Sequence, residues 1–230
     1  MTEKTETMMA TITTKLACLG RDNRGQSMVE FALSLPFLVF LSIGSFAIGV
    51  GLERYLTVGQ LVRYAGNMYA RDIDFDNINS PARRLLVEAG GNLRLSTAKG
   101  TCDANTRSVV YLTQVQITPD EPPGTFVNEG LPVMMHRTIV GCDSIGVSAI
   151  GTPDAAIWDP ATGEICGDNV AECNTPFNEP RAANITVPAS VTNSLVPGST
   201  VFMVEVIHQP NDILFPGFLS PETLYTRGVF

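Results

Sequence analysis

The chain has 230 residues, with fifteen Lys and Arg against twenty-three Asp and Glu for a formal net charge of −8. So acidic a balance lacks the basic footprint that nucleic-acid binding needs, and no nucleic-acid partner is expected. Two histidines and the absence of any G-x-S-x-G, GxxxxGK[ST] or H-E-x-x-H motif leave no recognisable catalytic centre, so neither an enzyme, a small-molecule substrate nor a cofactor is expected.

The first feature in chain order is a charge step. Lys15, Arg21 and Arg24 are opposed nearby only by Asp22, and residues 31–52 then read FALSLPFLVFLSIGSFAIGVGL without a formal charge. At ~1.5 Å per residue, about 22 helical residues cross the ~30 Å hydrocarbon core of a bilayer. The excess of Lys and Arg ahead of the run predicts a cytoplasmic N-terminus, with everything after Glu53 on the far side. Glu30 stands at the threshold of the run, where an acid is costly and implies a task. A cleaved secretory signal would have a shorter apolar region and a small-x-small exit, whereas this run ends in Gly51-Leu52-Glu53-Arg54. An ordinary single-span anchor accounts for the length but not for the combination of Gly25, the five-residue spacing and Glu30. Pro36 lacks an amide hydrogen and is expected to bend or loosen the helix near its start. Gly44, Ser45, Gly49 and Gly51 would let a second helix approach closely, although glycine is also simply common in membrane helices.

The wording RGQSMVEFALSLPFLVFLSIG resembles the processing site and membrane helix of type IV pilin-like proteins, and within them the TadE-like components of tight-adherence pili. The resemblance covers roughly residues 22–69. Residues 204–219, VEVIHQPNDILFPGFL, loosely resemble the same family's closing strand and turn. It implies cleavage between Gly25 and Gln26 by a prepilin peptidase and an inner-membrane, periplasm-facing protein that enters a pilus. It also implies partners among other pilin-like subunits, with Glu30 pairing the N-terminal amine of a neighbour. Removing residues 1–25 takes away four basic residues (Lys4, Lys15, Arg21, Arg24) and three acidic ones (Glu3, Glu6, Asp22), so the balance moves from −8 to −9.

Beyond Leu52 the helical period continues through Tyr55, Val58, Leu61, Val62, Ala65, Met68 and Tyr69, predicting a single rod over 26–71 whose second half is amphipathic. Ser80 as N-cap, Pro81, an apolar stripe of Ala82, Leu85, Leu86 and Ala89, and Gly90-Gly91 as a stop predict a short second helix. The period then changes to two. SVVYLTQVQI, with Val109, Tyr111, Thr113, Val115 and Ile117 on one side, VMMHRTIVGC, and TVFMVEVIHQ, with Phe202, Val204 and Val206 on one side, predict antiparallel strands. Residues 118–132 and 151–188, rich in Pro, Gly, Asn and Asp, predict long loops.

Cys18 falls in the leader, while Cys102, Cys142, Cys166 and Cys173 lie beyond the span, where an oxidising compartment favours two disulfides. Three pairings are possible. Neighbourhood in one loop favours Cys166 with Cys173, leaving Cys102 with Cys142. A zinc site lacks a C-x2-C pair or suitable histidine spacing. His136 and His208 each lie in a strand pattern, where a lone histidine is ordinarily a surface or core residue. Asp159, Glu164, Asp168 and Glu172 surround Cys166 but have no EF-hand register, so a solvated acidic loop is expected and no metal.

The expected organisation is a leader over 1–25, a long helix over 26–71 and an extracytoplasmic head over 72–230. The fold class is α+β, a long helix packed on an antiparallel sheet in the pilin-like manner. The expected role is a minor, structural pilus subunit. An unprocessed envelope protein whose head binds a surface partner, or a membrane-anchored enzyme with an unfamiliar site, are the alternatives.

Overall fold

The computed structural model describes residues 26–97, 102–120, 122–171, 173–210 and 223–230, and the chain divides into two units, Met1–Gly51 and Leu52–Phe230. Gly25, the charged residues Lys15, Arg21, Asp22 and Arg24 before it, Cys18, Glu172 and residues 211–219 lie outside the described residues. A continuous helix, α1 (Gln26–Tyr69), runs through both units.

In the first unit α1 is apolar around its whole circumference. Phe31, Leu33, Phe46 and Ile48 are all exposed, and at about 100° per residue they point to different sides of the helix. Two of its hydroxyls are satisfied locally: Ser34 donates to the Phe31 carbonyl at 3.1 Å and Ser42 to the Leu38 carbonyl at 2.8 Å. That is the arrangement a medium without water demands of Ser in a helix. The helix runs through Pro36 without interruption.

In the second unit four strands form an antiparallel sheet in the order β2-β1-β3-β4. They are β1 (Ser108–Ile117), β2 (Pro132–Gly141), β3 (Thr200–His208) and β4 (Leu224–Val229). A register shift interrupts the β1–β2 ladder between Gln114 and Val115. On one sheet face, Val110, Leu112, Val140, Val204 and Val206 pack with Val58, Leu61, Val62, Ala65 and Tyr69 of α1 in one core. The same core takes Ala82 and Leu86 from α2 (Pro81–Gly90). Fully burying a Leu or Val is worth roughly 1.5–3 kcal/mol, so this seam is the main adhesive between helix and sheet.

α2 begins and ends as its residues dictate. The Ser80 hydroxyl accepts from the Ala82 amide at 3.1 Å and donates to the Asp74 carbonyl at 2.7 Å, and Gly91 ends the helix at φ 43°. The buried face differs from the expected stripe. Leu85 and Ala89 are exposed, whereas Arg83 is buried. Its guanidinium donates to the Phe75 carbonyl, to Thr97 at 2.9 Å and to Ile139 at 2.9 Å. Each buried N–H finds a carbonyl, which is the condition for placing an arginine there.

The other sheet face is covered by the long connection between β2 and β3. Ile150, Ile157, Ile165 and Ala182 from that connection pack on Val115, Val133, Met134, Val201 and Met203. Residues 151–188 are thus irregular, as expected, yet they supply core: bridges join His136 to Glu164 and Trp158 to Ile165. In β1 both alternating sets, Val109, Tyr111, Thr113 and Val115 on one side and Val110 and Leu112 on the other, are consequently buried.

Two features differ from expectation. α1 ends at Tyr69, before Asp72 turns the chain at φ 61°. LYTRGV forms a fourth strand, β4, pairing Glu205 with Arg227 and Ile207 with Tyr225; it is a half-exposed edge whose Gly and Arg mask the period. The final strand is therefore β4, and residues 204–208 belong to β3.

Two disulfides close the head. Cys102 pairs with Cys142 (Cα–Cα 4.8 Å) and Cys166 with Cys173 (5.2 Å). The first joins the segment before β1 to the residue after β2. There Gly141, at φ 97°, has no room for a Cβ against the Ser108 carbonyl. The loop it closes spans 40 positions and the other 7, which by chain entropy correspond to about 4 and about 2.5 kcal/mol. In denaturant unfolding of the oxidised full chain, a Cys102→Ser/Cys142→Ser variant is expected to lose more stability than a Cys166→Ser/Cys173→Ser variant. The reverse order would show that the β1–β2 staple is not the principal one.

Candidate functional site

Two arrangements stand out, the bare half of α1 and a polar network inside the head. On α1, Gly44, Gly49 and Gly51 have nothing within 4 Å of where a Cβ would stand, and Ser45 is exposed. These are the small residues expected to admit another helix, and the face they make is open. Glu30 lies at the fifth position of α1 and is exposed. The backbone of Gln26 opens the helix, and Gly25 lies outside the described residues.

The network centres on Arg137 of β2 and Glu205 of β3, whose side chains are 1 % and 0 % exposed and approach to 3.9 Å. Strand β1 lies between theirs, with Thr113 opposite Arg137 and Tyr111 opposite Glu205. Ser148 bridges the pair, accepting from Arg137 Nη2 at 2.7 Å and donating to Glu205 Oε2. Arg137 also donates from Nε to Thr113 Oγ1 at 3.0 Å and from Nη1 to the Gly151 carbonyl, and its guanidinium lies 5.2 Å from the Tyr111 ring centroid. Glu205 Oε1 accepts from Tyr225 at 2.6 Å and from the Ala149 amide at 3.0 Å.

Burial pulls the Arg137 guanidinium down to about 10, with the Glu205 charge resisting. Burial likewise pushes the Tyr111 hydroxyl up to about 12 and raises that of Tyr225. The chemistry is that of a closed charge pair: both ions spend their hydrogen-bonding capacity on protein groups, and the pair pins β2, β3, β4 and the 148–151 turn together. Neither residue was singled out from the sequence. The available signal was one Glu and one Arg within strand runs otherwise too apolar to face water.

The histidines occupy two different settings. His136 Nδ1 meets the Tyr69 hydroxyl at 2.7 Å, while Nε2 meets Asp76 at 2.9 Å and the Thr162 carbonyl at 3.0 Å. It ties the end of α1 to the sheet and to the β2–β3 connection. His208 is buried beside Ser108, its cross-strand partner. Of the acids around Cys166, Asp159 is not solvated: it is buried in a turn, accepting from the Ala161 amide and Asn169 Nδ2, both at 2.8 Å. The Asn169 hydrogen bond is the main reason its carboxyl is held below the usual range. Among the described residues no group of three or more His, Cys, Asp or Glu is placed to hold a metal ion.

No protein-family model matches the chain, and neither does any curated protein or solved structure.

The network generates a stability prediction. Glu205→Ala leaves the Arg137 charge buried without its partner and is expected to cost about 3–5 kcal/mol, whereas Glu205→Leu combined with Arg137→Met removes both charges and costs much less. Equilibrium unfolding of the two variants checks this. Equal losses would show that packing, not charge pairing, is what the site contributes.

Proposed function

We propose that this chain is a pilin-like minor subunit of a tight-adherence pilus, cleaved after Gly25 and assembled through α1. One observation carries the reading: a single helix whose second half is core to a disulfide-tied α+β head and whose first half is apolar all round. A helix of that kind belongs in lipid or among other apolar helices, and it is long and apolar enough to cross a membrane. The open small-residue face around Gly44, Ser45, Gly49 and Gly51 suits a second helix. Moving such a rod from lipid into a bundle of similar rods changes its burial little. Repeating a heterologous helix contact without closing it makes a filament.

The wording around Gly25 and Glu30 supplies the processing and recruitment steps. Cleavage leaves an amine on Gln26 one helical turn before Glu30, and neither charge is tolerated in hydrocarbon without a partner. Pairing between Glu30 of one subunit and the amine of its neighbour satisfies both and sets the stagger. Gln26 in first place adds a requirement, because a cyclised N-terminal glutamine loses the charge; the amine stays open in the functional subunit.

Two outcomes test this. Gly25→Leu is expected to accumulate with its leader attached, because the peptidase needs a residue without a side chain before the scissile bond. Intact mass reads the result, and loss of residues 1–25 in the variant would reject the assignment. Glu30→Gln, by contrast, is cleaved and inserted normally but fails to co-purify with assembled pili. Its normal incorporation, or a pyroglutamate terminus in wild-type pili, would show that the charge pair does not recruit the subunit.

A further inference from the structure

The two edges of the sheet are treated differently. Along β2 the outer edge is capped by the β2–β3 connection: the Arg137 amide donates to the Gly163 carbonyl at 2.7 Å, and the Ile165 amide donates to the Met135 carbonyl at 3.0 Å. The opposite edge is β4, which pairs only with β3 among the described strands. A row of unpaired backbone groups along such an edge is a template for another strand.

The register says which groups of β4 are spare. Phe202 and Phe230 exchange both of their amide–carbonyl bonds, at 3.1 and 2.9 Å. Bonded and non-bonded pairs alternate along an antiparallel ladder, so Gly228, Thr226 and Leu224 turn their N–H and C=O groups to β3. Tyr225, Arg227 and Val229, opposite Ile207, Glu205 and Met203, turn theirs outward. None of these outward groups is hydrogen-bonded to another described residue.

The two sides of the strand offer different surroundings. Side chains alternate across a sheet. Tyr225 reaches Glu205 on the face away from α1, so Arg227 and Val229 share that face, whereas a Cβ at Gly228 would stand 2.6 Å from Val62 of α1. On the α1 side, a groove of about 560 Å³ between the helix and β4 is lined by Leu56, Gly59, Val62, Arg63 and Phe230 among others, and by no Asp or Glu. Leu56 is 54 % exposed there. On the far side Arg227 is exposed and makes no ion pair among the described residues. Its cross-strand neighbour Glu205 is fully buried, with its carboxylate taken up by Ser148, Tyr225 and the Ala149 amide.

We propose that β4 is a docking edge for an extended acidic segment of a partner protein, which adds to the sheet as a further antiparallel strand. The backbone of that segment bonds Tyr225, Arg227 and Val229. Its apolar residues opposite Thr226 and Gly228 enter the groove beside α1, and an Asp or Glu opposite Arg227 meets the guanidinium. A second copy of this chain is a poor source of the strand. The antiparallel self-pairing that uses all three outward residues sets Arg227 opposite Arg227, and like charges directly opposite are destabilising. The docking edge does not depend on cleavage after Gly25 or on pilus assembly.

The test uses the full oxidised chain, ¹⁵N-labelled, in zwitterionic micelles. The probe is an acetylated and amidated peptide, Gly-Thr-Val-Glu-Leu-Thr-Gly, compared with one carrying Lys in place of Glu and one N-methylated at Glu. The Glu peptide is expected to slow hydrogen exchange at the Tyr225, Arg227 and Val229 amides saturably. The Lys peptide is expected to bind about two- to fivefold more weakly, as for a cross-strand charge pair, and the N-methylated peptide, which lacks the central donor, not at all. Arg227→Glu, a change at an exposed side chain, is expected to reverse the preference to the Lys peptide while leaving the unfolding midpoint unchanged. Absence of protection by the Glu peptide, or the same order of Glu and Lys peptides in wild type and Arg227→Glu, overturns the proposal. Concentration-dependent protection of the same amides without peptide also overturns it, by making a second copy the occupant.

Discussion

The seam between the second half of α1 and the sheet is the contact on which the rest of the molecule depends. Val58, Leu61, Val62 and Ala65 recur at three- and four-residue intervals and meet Val110, Leu112, Val204 and Val206 on the sheet face. This stripe lies on the continuation of the apolar run, so only the second half of the helix is committed to the head. Gly66 shows how close that packing is: the Phe230 ring occupies the place where a Cβ would be.

Covering the sheet on both faces has a consequence for charge. A strand such as β3, in which Val204, Glu205 and Val206 are all 0 % exposed, has no solvent side on which to put an acid. Glu205 is retained there because Arg137, Ser148, Tyr225 and the Ala149 amide surround its carboxylate. Such a pair adds little net stability over an apolar alternative but is strongly directional. In this head it is built from side chains of all four strands and of the loop that caps them, so it specifies how that loop lies on the sheet. The loop in turn holds the Cys166–Cys173 disulfide and the Asp159 turn.

The buried arginines and Arg107 show the same side chain in two different settings. Arg137 and Arg83 are buried with carbonyl, hydroxyl or carboxylate partners for their donors and act as struts. Arg107 has a buried Nε with no such partner beside an equally unsatisfied His208 nitrogen. Arg107 also differs in being only half-buried, so it is not held as a strut in the way Arg83 and Arg137 are.

The long helix, the short second helix with its Ser80 cap and Gly91 stop, and the three strands β1, β2 and β3 follow from the order of residues alone. Each of these is a matter of local period, capping or φ, readable from neighbours along the chain. The small residues on α1 can likewise be named from the sequence, whereas Gly25 and Glu30 are marked there only by a resemblance in wording. The tertiary structure alone decided the buried place of Arg83 in α2, the strand status of LYTRGV, and the use of residues 151–188 as the second core layer. It also decided the meeting of Arg137 with Glu205. These residues are separated by 68 positions in the chain, and charged side chains carry no period that marks them for burial. Only the folded backbone, by deciding which partners each of them meets, settles whether a charge belongs to the core or to the surface.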